Sequence, residues 1–507
     1  MTGVAGCGEV SGISPNARAA GVDHYIDLWA DIEENPVNVS DPVADRMSDD
    51  AIDATRKLAG HVASISISQL NANVVQAFRR ALLDYLTCAI AGAGMQSSRI
   101  VLDYLQSWDQ AREACVIGAG RRLSAQNAAF VNGTSAHGLD LDDGMTRGSV
   151  HPGGAVFPAL LAMAEKLGSK AEDIIAAGVA AYDITLRMAS TVHPHSTRCG
   201  FHNTPTSGVF GAAAAAARLL GLDAGLALNT LGLAGSFSGG LRAFLADGAE
   251  VKRIHPGKAA RDGIVSAELA MRGLTGPAQV IEGRFGFVQA FARGNADWPR
   301  LTGDLGNRFE ICSVYFKPYP ACRHFHAALD AVRNIAECRP FKPEEVASVR
   351  IGLYEAGATG HDQKTYENLL DAQMSAPVTT ALAIAFGNVT VPSFDRKNLE
   401  QPEVRRLIDV TEVYVDEECD RIYPGRRSGV AQVRFNDGSL IEERVLDPKG
   451  EGENPMSDDD LSNKFLSNCE PLIGAARCRE LLETVWRFEA GADPSPLYRW
   501  SNQAASA

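Results

Sequence analysis

Between Leu58 and about Leu305, apolar residues recur every three or four positions, the spacing that gathers them on one face of an α-helix. Val74 to Gly92 places Phe78, Leu82, Leu83, Tyr85 and Leu86 on one broad face. The same pattern runs through Ala155 to Leu167, Ile174 to Ala189, Val209 to Leu220, Leu226 to Ala234 and Ala259 to Leu274. These stretches are rich in Ala and Gly, so closely approaching helices are expected, with Gly221 and Gly273 at helix C-caps. Around Phe309 the period changes. Ala347 to Tyr354 and Gly429 to Phe435 alternate as strands do, and Asn436-Asp437-Gly438 reads as a hairpin turn into Ser439 to Val445. Helical segments at His326 to Cys338 and Pro402 to Asp409 lie around and between them. The fold class expected is mainly α: a large all-α helical domain (58–305) and a smaller α+β domain (306–455), followed by a helical stretch from Asp458 to Phe488.

At 507 residues the chain exceeds one typical core, which agrees with two domains. No stretch approaches the roughly 20 uninterrupted apolar residues that span a bilayer, so no membrane partner is expected. The net charge of −14 is uneven: residues 1–55 hold 11 Asp and Glu against 2 Arg. With its Gly, Ser and Pro, the segment 1–57 is expected to be flexible, and it lacks the basic start and apolar core of a secretory signal. An acidic chain without a basic stripe is a poor nucleic-acid binder. Ten cysteines are scattered with no Cys-x-x-Cys pair, which argues against zinc ribbons and iron–sulfur clusters and fits a reduced, cytoplasmic protein. Gly92-Ala93-Gly94 and Gly118-Ala119-Gly120 are isolated, and neither completes a dinucleotide fingerprint.

The candidate chemistry is clustered. Ala136 to Asp143, followed by His151-Pro152-Gly153-Gly154, carries His137, Asp140, Asp142, Asp143 and His151 in an otherwise apolar region. Such groups are costly to bury unless paired, and they suit proton transfer near neutral pH. A second cluster is Gly200-Phe201-His202-Asn203-Thr204-Pro205. A third, Phe244 to Gly248 and then Val251 to Ala260, supplies Lys252, Arg253, His255 and Lys258. A fourth runs from Lys317 through Tyr319, Cys322, Arg323 and His324 to His326. Read locally, Asp140 could equally be a helix cap, His202 a core histidine near a helix start, and Lys252 a surface lysine. Arg323, His324 and His326 could pack a domain junction, and His193 and His195 read as loop residues. Neither His137-x-x-Asp140 nor His324-x-His326 has a tight metal-binding spacing, and no metal is expected.

At the segments HGLDLDD…HPGG, GFHNTP, FLADGAEVKRIHPGKAARDG and KPYPACRHFHAALDA the chain resembles the MmgE/PrpD family, in that family's order, from about residue 58 to the C-terminus. The family includes 2-methylcitrate dehydratase, cis-aconitate decarboxylase and iminodisuccinate epimerase. The resemblance implies that the C-terminal helices (456–507) return to the helical domain. It also implies cofactor-independent chemistry and a homodimer. By matching, Asp140, His151, His202 and Lys252 fall on active-site positions, and Tyr319 matches a site tyrosine of the smaller domain more loosely. Such a lyase needs cations for its substrate's carboxylates, a base for a carbon-bound proton and an acid for a departing group. His137, Arg253, His255, Lys258, Tyr319 and Arg323 are the candidate substrate-binding groups, arginine being suited to bidentate carboxylate pairing. The site is expected in a cleft under the smaller domain, which would close as a lid.

The reading drawn from this is a lyase of a small polycarboxylate, first as a dehydratase of a 2-methylcitrate-like hydroxy acid. Alternatives are a cis-aconitate-type decarboxylase, an epimerase of an imino- or amino-dicarboxylate, and a non-catalytic acid-binding relative. Two departures matter. Gly144 stands where the animal decarboxylase pattern has a threonine, and the link from Asp143 to His151 is one residue longer.

Overall fold

The computed structural model describes residues 53–500, Asp247 apart. The flexible acidic segment expected over 1–57 lies mostly outside the described residues. Its last residues already belong to helix α1 (Ala54–Ser64), where Ala54 and Thr55 are buried. Among the further helices of the large helical body are α2 (Ala72–Gly92), α3 (Ala125–Ala136), α4 (Gly153–Leu167), α5 (Ala171–Val192), α6 (Asn203–Leu219), α7 (Ala224–Phe237) and α8 (Val251–Met271). One short antiparallel hairpin, β1 (Ala114–Val116) with β2 (Arg121–Leu123), interrupts a region whose sequence reads as all helix. Three-residue strands are too short to show a period of two.

The Ala and Gly content has a direct packing consequence. At Gly133 of α3, a Cβ would lie 2.6 Å from the Gly257 Cα of α8 and 2.7 Å from the Gly154 carbonyl of α4. Three backbones therefore meet where no side chain fits, and this contact sets α8 against the turns that carry Asp140 and His151. Helix α8 starts eight residues before the expected Ala259, because it runs through Pro256. Proline ordinarily breaks a helix interior by removing one N–H and crowding the preceding turn. Here the close fit of Gly257 against α3 outweighs that local penalty.

The caps agree with the sequence. Gly221 and Gly273 both take positive φ just beyond α6 and α8, a conformation that glycine adopts without cost.

The smaller α+β region has its own core, drawn from Tyr319 through Phe435. Its four-stranded sheet has the order β4-β3-β5-β6, comprising β3 (Val346–Leu353), β4 (Thr411–Val415), β5 (Gly429–Phe435) and β6 (Leu440–Val445). Strand β3 pairs parallel with β4 (Val349 beside Thr411) and antiparallel with β5 (Val349 beside Val433). The β5–β6 hairpin closes at Asn436 to Gly438, as the turn residues require. Strand β4 is absent from the sequence expectation, since its alternation lasts only five residues. Helices α9 (His326–Cys338), α10 (Ala376–Phe386) and α11 (Pro402–Asp409) pack on this sheet.

The C-terminal stretch is two helices, α12 (Asp458–Ile473) and α13 (Ala475–Trp486), parted by Gly474 at φ 78°. Phe465, Cys469, Leu481 and Phe488 bury against Phe78 and Leu82 of α2, so the chain does return to the helical body. Among the described residues no helix is long and apolar enough to cross a membrane.

Candidate functional site

Asp140 is the hub. It lies in the turn after α3 at φ 51°, a left-handed conformation that Asp and Asn enter more readily than other L-residues. Its Oδ1 accepts from Lys252 Nζ at 2.7 Å and from Lys317 Nζ at 3.0 Å, and Lys317 also donates to the Asp140 carbonyl at 2.9 Å. All three residues are buried. Burial would raise the Asp140 carboxyl, but the ammoniums of Lys252 and Lys317 overcome it and hold it well below its ordinary value. Burial likewise works against the Lys317 ammonium, and Asp140 with Asp142 reverses that and raises it. One carboxylate thus bonds two ammoniums, with the Asp142 carboxylate close to Lys317 as well.

Three neutral imidazoles surround it. His151 Nδ1 lies 2.8 Å from the Asp143 carbonyl, which can only accept, so Nδ1 carries the proton and Nε2 presents a lone pair. His137 donates through Nδ1 to Asp142 Oδ2 at 2.7 Å, and its ring centroid lies 5.2 Å from His151 and 6.1 Å from His202. His202 Nδ1 shares a hydrogen bond of 2.9 Å with His255 Nδ1. Burial depresses all of these. His151 falls to about 3 despite the pull of Asp142, His255 falls to about 4 through burial and His137, and His202 goes well below its usual value through burial and His255. At neutral pH these histidines are uncharged, and Lys252 and Lys317 supply the cationic donors at the hub.

Local structure explains the placement. Asp143 Oδ1 accepts the Gly153 N–H at 2.9 Å and Oδ2 accepts the Tyr182 hydroxyl at 2.8 Å, so the third aspartate of the turn anchors it to α4 and α5. His202 precedes α6, and its N–H donates to the Gly240 carbonyl at 3.0 Å while the Arg242 N–H donates to Gly200 at 2.9 Å. That pairing sets Arg242 beside His202.

Asp140, His151, His202, Lys252 and Arg323 line one small cavity of about 60 Å³, together with Arg242, Phe244, Lys317, Cys322, His324, His361 and Arg427. His137 and His255 stand directly behind its wall. Three expected residues do not reach it. Arg253 is buried and donates to the Gly138 carbonyl at 2.6 Å, bracing the Asp140 turn. Lys258 is six residues past Lys252, about 240° around the helix, and ties to the Phe237 carbonyl and Asp262. Tyr319 donates to Asp330 at 2.6 Å within the core of the smaller region.

Lys317, Arg242 and Arg427 carry no assignment from sequence. Lysines are normally exposed, and the one local hint is that Lys317 stands between Phe316 and Pro318 in an apolar run. Arg427 is buried, its Nε has no partner, and no carboxylate lies within ion-pair distance of it or of Arg242 among the described residues. Arg323 is answered by Glu451 at 3.0 Å. Two sets of donors could in principle hold a cation: His137, Asp140 and Asp142, and Cys322, His324 and His361. Asp140 is already taken by two ammoniums and the second set lies beside Arg242 and Arg427, so the charges present work against a metal at either place.

A larger cavity of about 860 Å³ is lined by Pro318, Asp330, Arg333, Lys449 and Lys464. Its charges are paired off: Lys464 with Asp84 at 2.6 Å and Lys449 with Asp460 at 3.2 Å. Size alone does not mark the chemistry here.

The depressed histidines have a consequence for stability. In seven of them (His137, His151, His193, His202, His255, His324 and His326) the unfolded chain binds protons that the folded one refuses. Stability therefore falls as pH drops below about 6.5, by about 1.4 kcal/mol per pH unit for each extra proton. Urea denaturation from pH 8 to pH 4 should show this steep acid loss; a flat profile to pH 4.5 would mean that these imidazoles are not held neutral.

Residues 56–299 match the MmgE/PrpD N-terminal domain, and residues 319–488 match the MmgE/PrpD C-terminal domain. A cis-aconitate decarboxylase-like protein, oryM, of Aspergillus oryzae is 28% identical over 87% of this chain and 96% of its own. The cis-aconitate decarboxylase of Homo sapiens is 27% identical over 87% of this chain and 93% of its own, and that of Mus musculus 26% over 88% and 92%.

Proposed function

The chain belongs to the MmgE/PrpD family, and from that premise we propose that it is a lyase of a small polycarboxylate whose reaction runs at the Asp140–Lys252–Lys317 cluster. The observation that carries this is the pair of buried ammoniums sharing one carboxylate, beside imidazoles held neutral. Breaking a carbon–carbon or carbon–hydrogen bond next to a carboxylate drives electrons onto that carboxylate. Positive charge fixed beforehand at that point lowers the barrier.

In the first reading the substrate is an unsaturated tricarboxylate of the cis-aconitate type, as the relatives' names suggest. One carboxylate leaves as carbon dioxide, its bonding pair spreads toward a neighbouring carboxylate at Lys252 and Lys317, and an ammonium then delivers a proton to carbon. Dehydration of a 2-methylcitrate-like hydroxy acid is the second reading. There, neutral Nε2 of His151 or His202 takes the carbon-bound proton and an ammonium protonates the departing hydroxide. A specific observation favours keeping it. A side chain at Gly144 would place its Cβ 2.4 Å from the Tyr315 hydroxyl, so tyrosine fills the space where the animal decarboxylase pattern has a threonine. The loop between Asp143 and His151 is therefore packed differently, one step behind the cavity lining.

At about 60 Å³ the cavity is far below the roughly 300 Å³ at which ligand pockets begin, so in this proposal a polycarboxylate enters by displacing its walls. Residues 244–245 and the smaller region's Cys322, His361 and Arg427 are the movable side of this proposal.

Arg242 and Arg427, which pair with no carboxylate among the described residues, anchor the remaining carboxylates of the substrate in this proposal. Replacing either by glutamine is expected to raise KM for a tricarboxylate by roughly 10- to 100-fold, the worth of a charge-assisted hydrogen bond, with a smaller effect on kcat. Steady-state kinetics on both variants check this; an unchanged KM removes the anchor role.

The test of the whole reading is ¹H NMR of chelator-treated protein in D₂O with cis-aconitate, 2-methylcitrate, citrate and an imino-dicarboxylate. Itaconate from cis-aconitate supports the first reading, and vinylic signals from a hydroxy acid support the second. Deuterium exchange without net loss makes the protein an epimerase. Silence across the panel removes this substrate class.

A further inference from the structure

One chemically competent group in the cavity wall has no part in the lyase steps. Cys322 Sγ lies 3.9 Å from His361 Nε2, and both residues line the cavity. His361 Nδ1 lies 2.7 Å from the Met374 carbonyl, which can only accept, so Nδ1 carries the proton and Nε2 faces the thiol as an acceptor. The backbone holds both partners: the Cys322 N–H donates to Gln373 at 3.0 Å, and the Ala376 N–H donates to the His361 carbonyl at 2.8 Å. A nucleophile, a base within reach and a group that orients the base are the parts of an activated thiol.

We propose that Cys322 and His361 form a nucleophilic thiol–imidazole pair in the cavity wall, a covalent modification site selective for small anionic electrophiles. The selectivity comes from the surroundings. Arg242, Lys252, Lys317, Arg323 and Arg427 line the same cavity, with Asp140 as its one carboxylate among the described residues; His151, His202 and His324 are the other imidazoles of the lining, and Tyr354 hydrogen-bonds His324 from behind. Burial pushes the Cys322 thiol up, but His361 outweighs it and the thiol ends below its ordinary value; His361 in turn is raised, with Cys322 its main partner against burial. The buried Cys88, Cys115, Cys469 and Cys478 are all shifted the other way by burial. Cysteine reactivity follows the thiolate, so Cys322 stands apart from these four buried cysteines.

The chemistry balances without an added oxidant. With iodoacetate, the sulfur attacks the methylene carbon, an S–C bond forms, the C–I bond breaks, iodide leaves with the bonding pair, and the thiol proton stays on His361 Nε2. Nothing in this step depends on which acid the enzyme converts.

The experiment is timed alkylation of the intact protein by iodoacetate and, separately, by uncharged iodoacetamide, with each cysteine quantified by peptide mass spectrometry. Cys338, exposed on the surface, is the internal reference. Relative to Cys338, Cys322 is expected to react at least tenfold faster with iodoacetate than with iodoacetamide. Cys322→Ser should remove that adduct alone, and His361→Gln should slow it at least tenfold. Labelling of Cys322 no faster than Cys338, or with no preference for the anionic reagent, overturns the proposal on the wild-type protein without recourse to any variant. Because the readout is adduct mass rather than turnover, its failure is separable from failure of the lyase reading.

Discussion

Lys252→Ala is expected to lower kcat/KM by about 10²–10³-fold, the usual loss when a preorganised group facing developing negative charge is removed. Stability should change little by comparison. Asp140 retains Lys317 at 3.0 Å through Oδ1 and at 2.9 Å through its carbonyl, so the buried carboxylate is not left without a cation. That asymmetry makes the variant informative, because a fall in turnover with a preserved melting temperature separates a chemical role from a structural one. Unchanged turnover together with an unchanged melting temperature would remove Lys252, and with it the hub, from the active site.

Asp140→Asn should act in the opposite manner, on the fold as well as on turnover. Asparagine tolerates the left-handed backbone at φ 51°, so the change removes charge while keeping the turn. Lys252 and Lys317 would then be buried with no carboxylate between them, and breaking a buried ion pair from one side costs about 3–5 kcal/mol. The depressed carboxyl of Asp140 stabilises the fold above its unfolded value of 3.8, and this is lost as pH falls through the lower folded value. The raised ammonium of Lys317 stabilises it below 10.5, and that contribution is lost as pH rises through its higher folded value. The gap between wild type and variant should therefore be full between about pH 4 and pH 10 and narrow on the acid side. Urea unfolding at pH 7 measures it, and a difference below about 1 kcal/mol would mean that the two ammoniums find other partners or lose their protons.

Much of this site was legible before any coordinates. Asp140, His151, His202 and Lys252 stand out as costly side chains in apolar surroundings, and the structure brings them to one cavity. Lys258 and Arg253 were not separable from Lys252 by proximity in sequence, because the expected helix begins only at Ala259. As a helix, the segment turns Lys258 away from the cavity. Lys317, Arg242 and Arg427 were illegible for another reason. Each belongs to a residue type that is ordinarily solvated, and what makes it unusual is the distant segment folded over it.

The sequence by itself determined the elements and the chemistry on offer. Helical and strand periods place the large helical body and the smaller sheet, because burying an apolar face is a property of local spacing. The Ala and Gly content called for close helix contacts, and the clustered acids, imidazoles and lysines supplied the reacting groups. Only the tertiary structure decided how those groups are charged. Whether Asp140 is ionised, whether His151 is a base, and which lysine answers which carboxylate depend on burial and on partners more than a hundred residues away, such as Lys252 and Lys317 on Asp140. Electrostatic free energy is set by distance and solvent exposure, and neither is a property of a one-dimensional pattern.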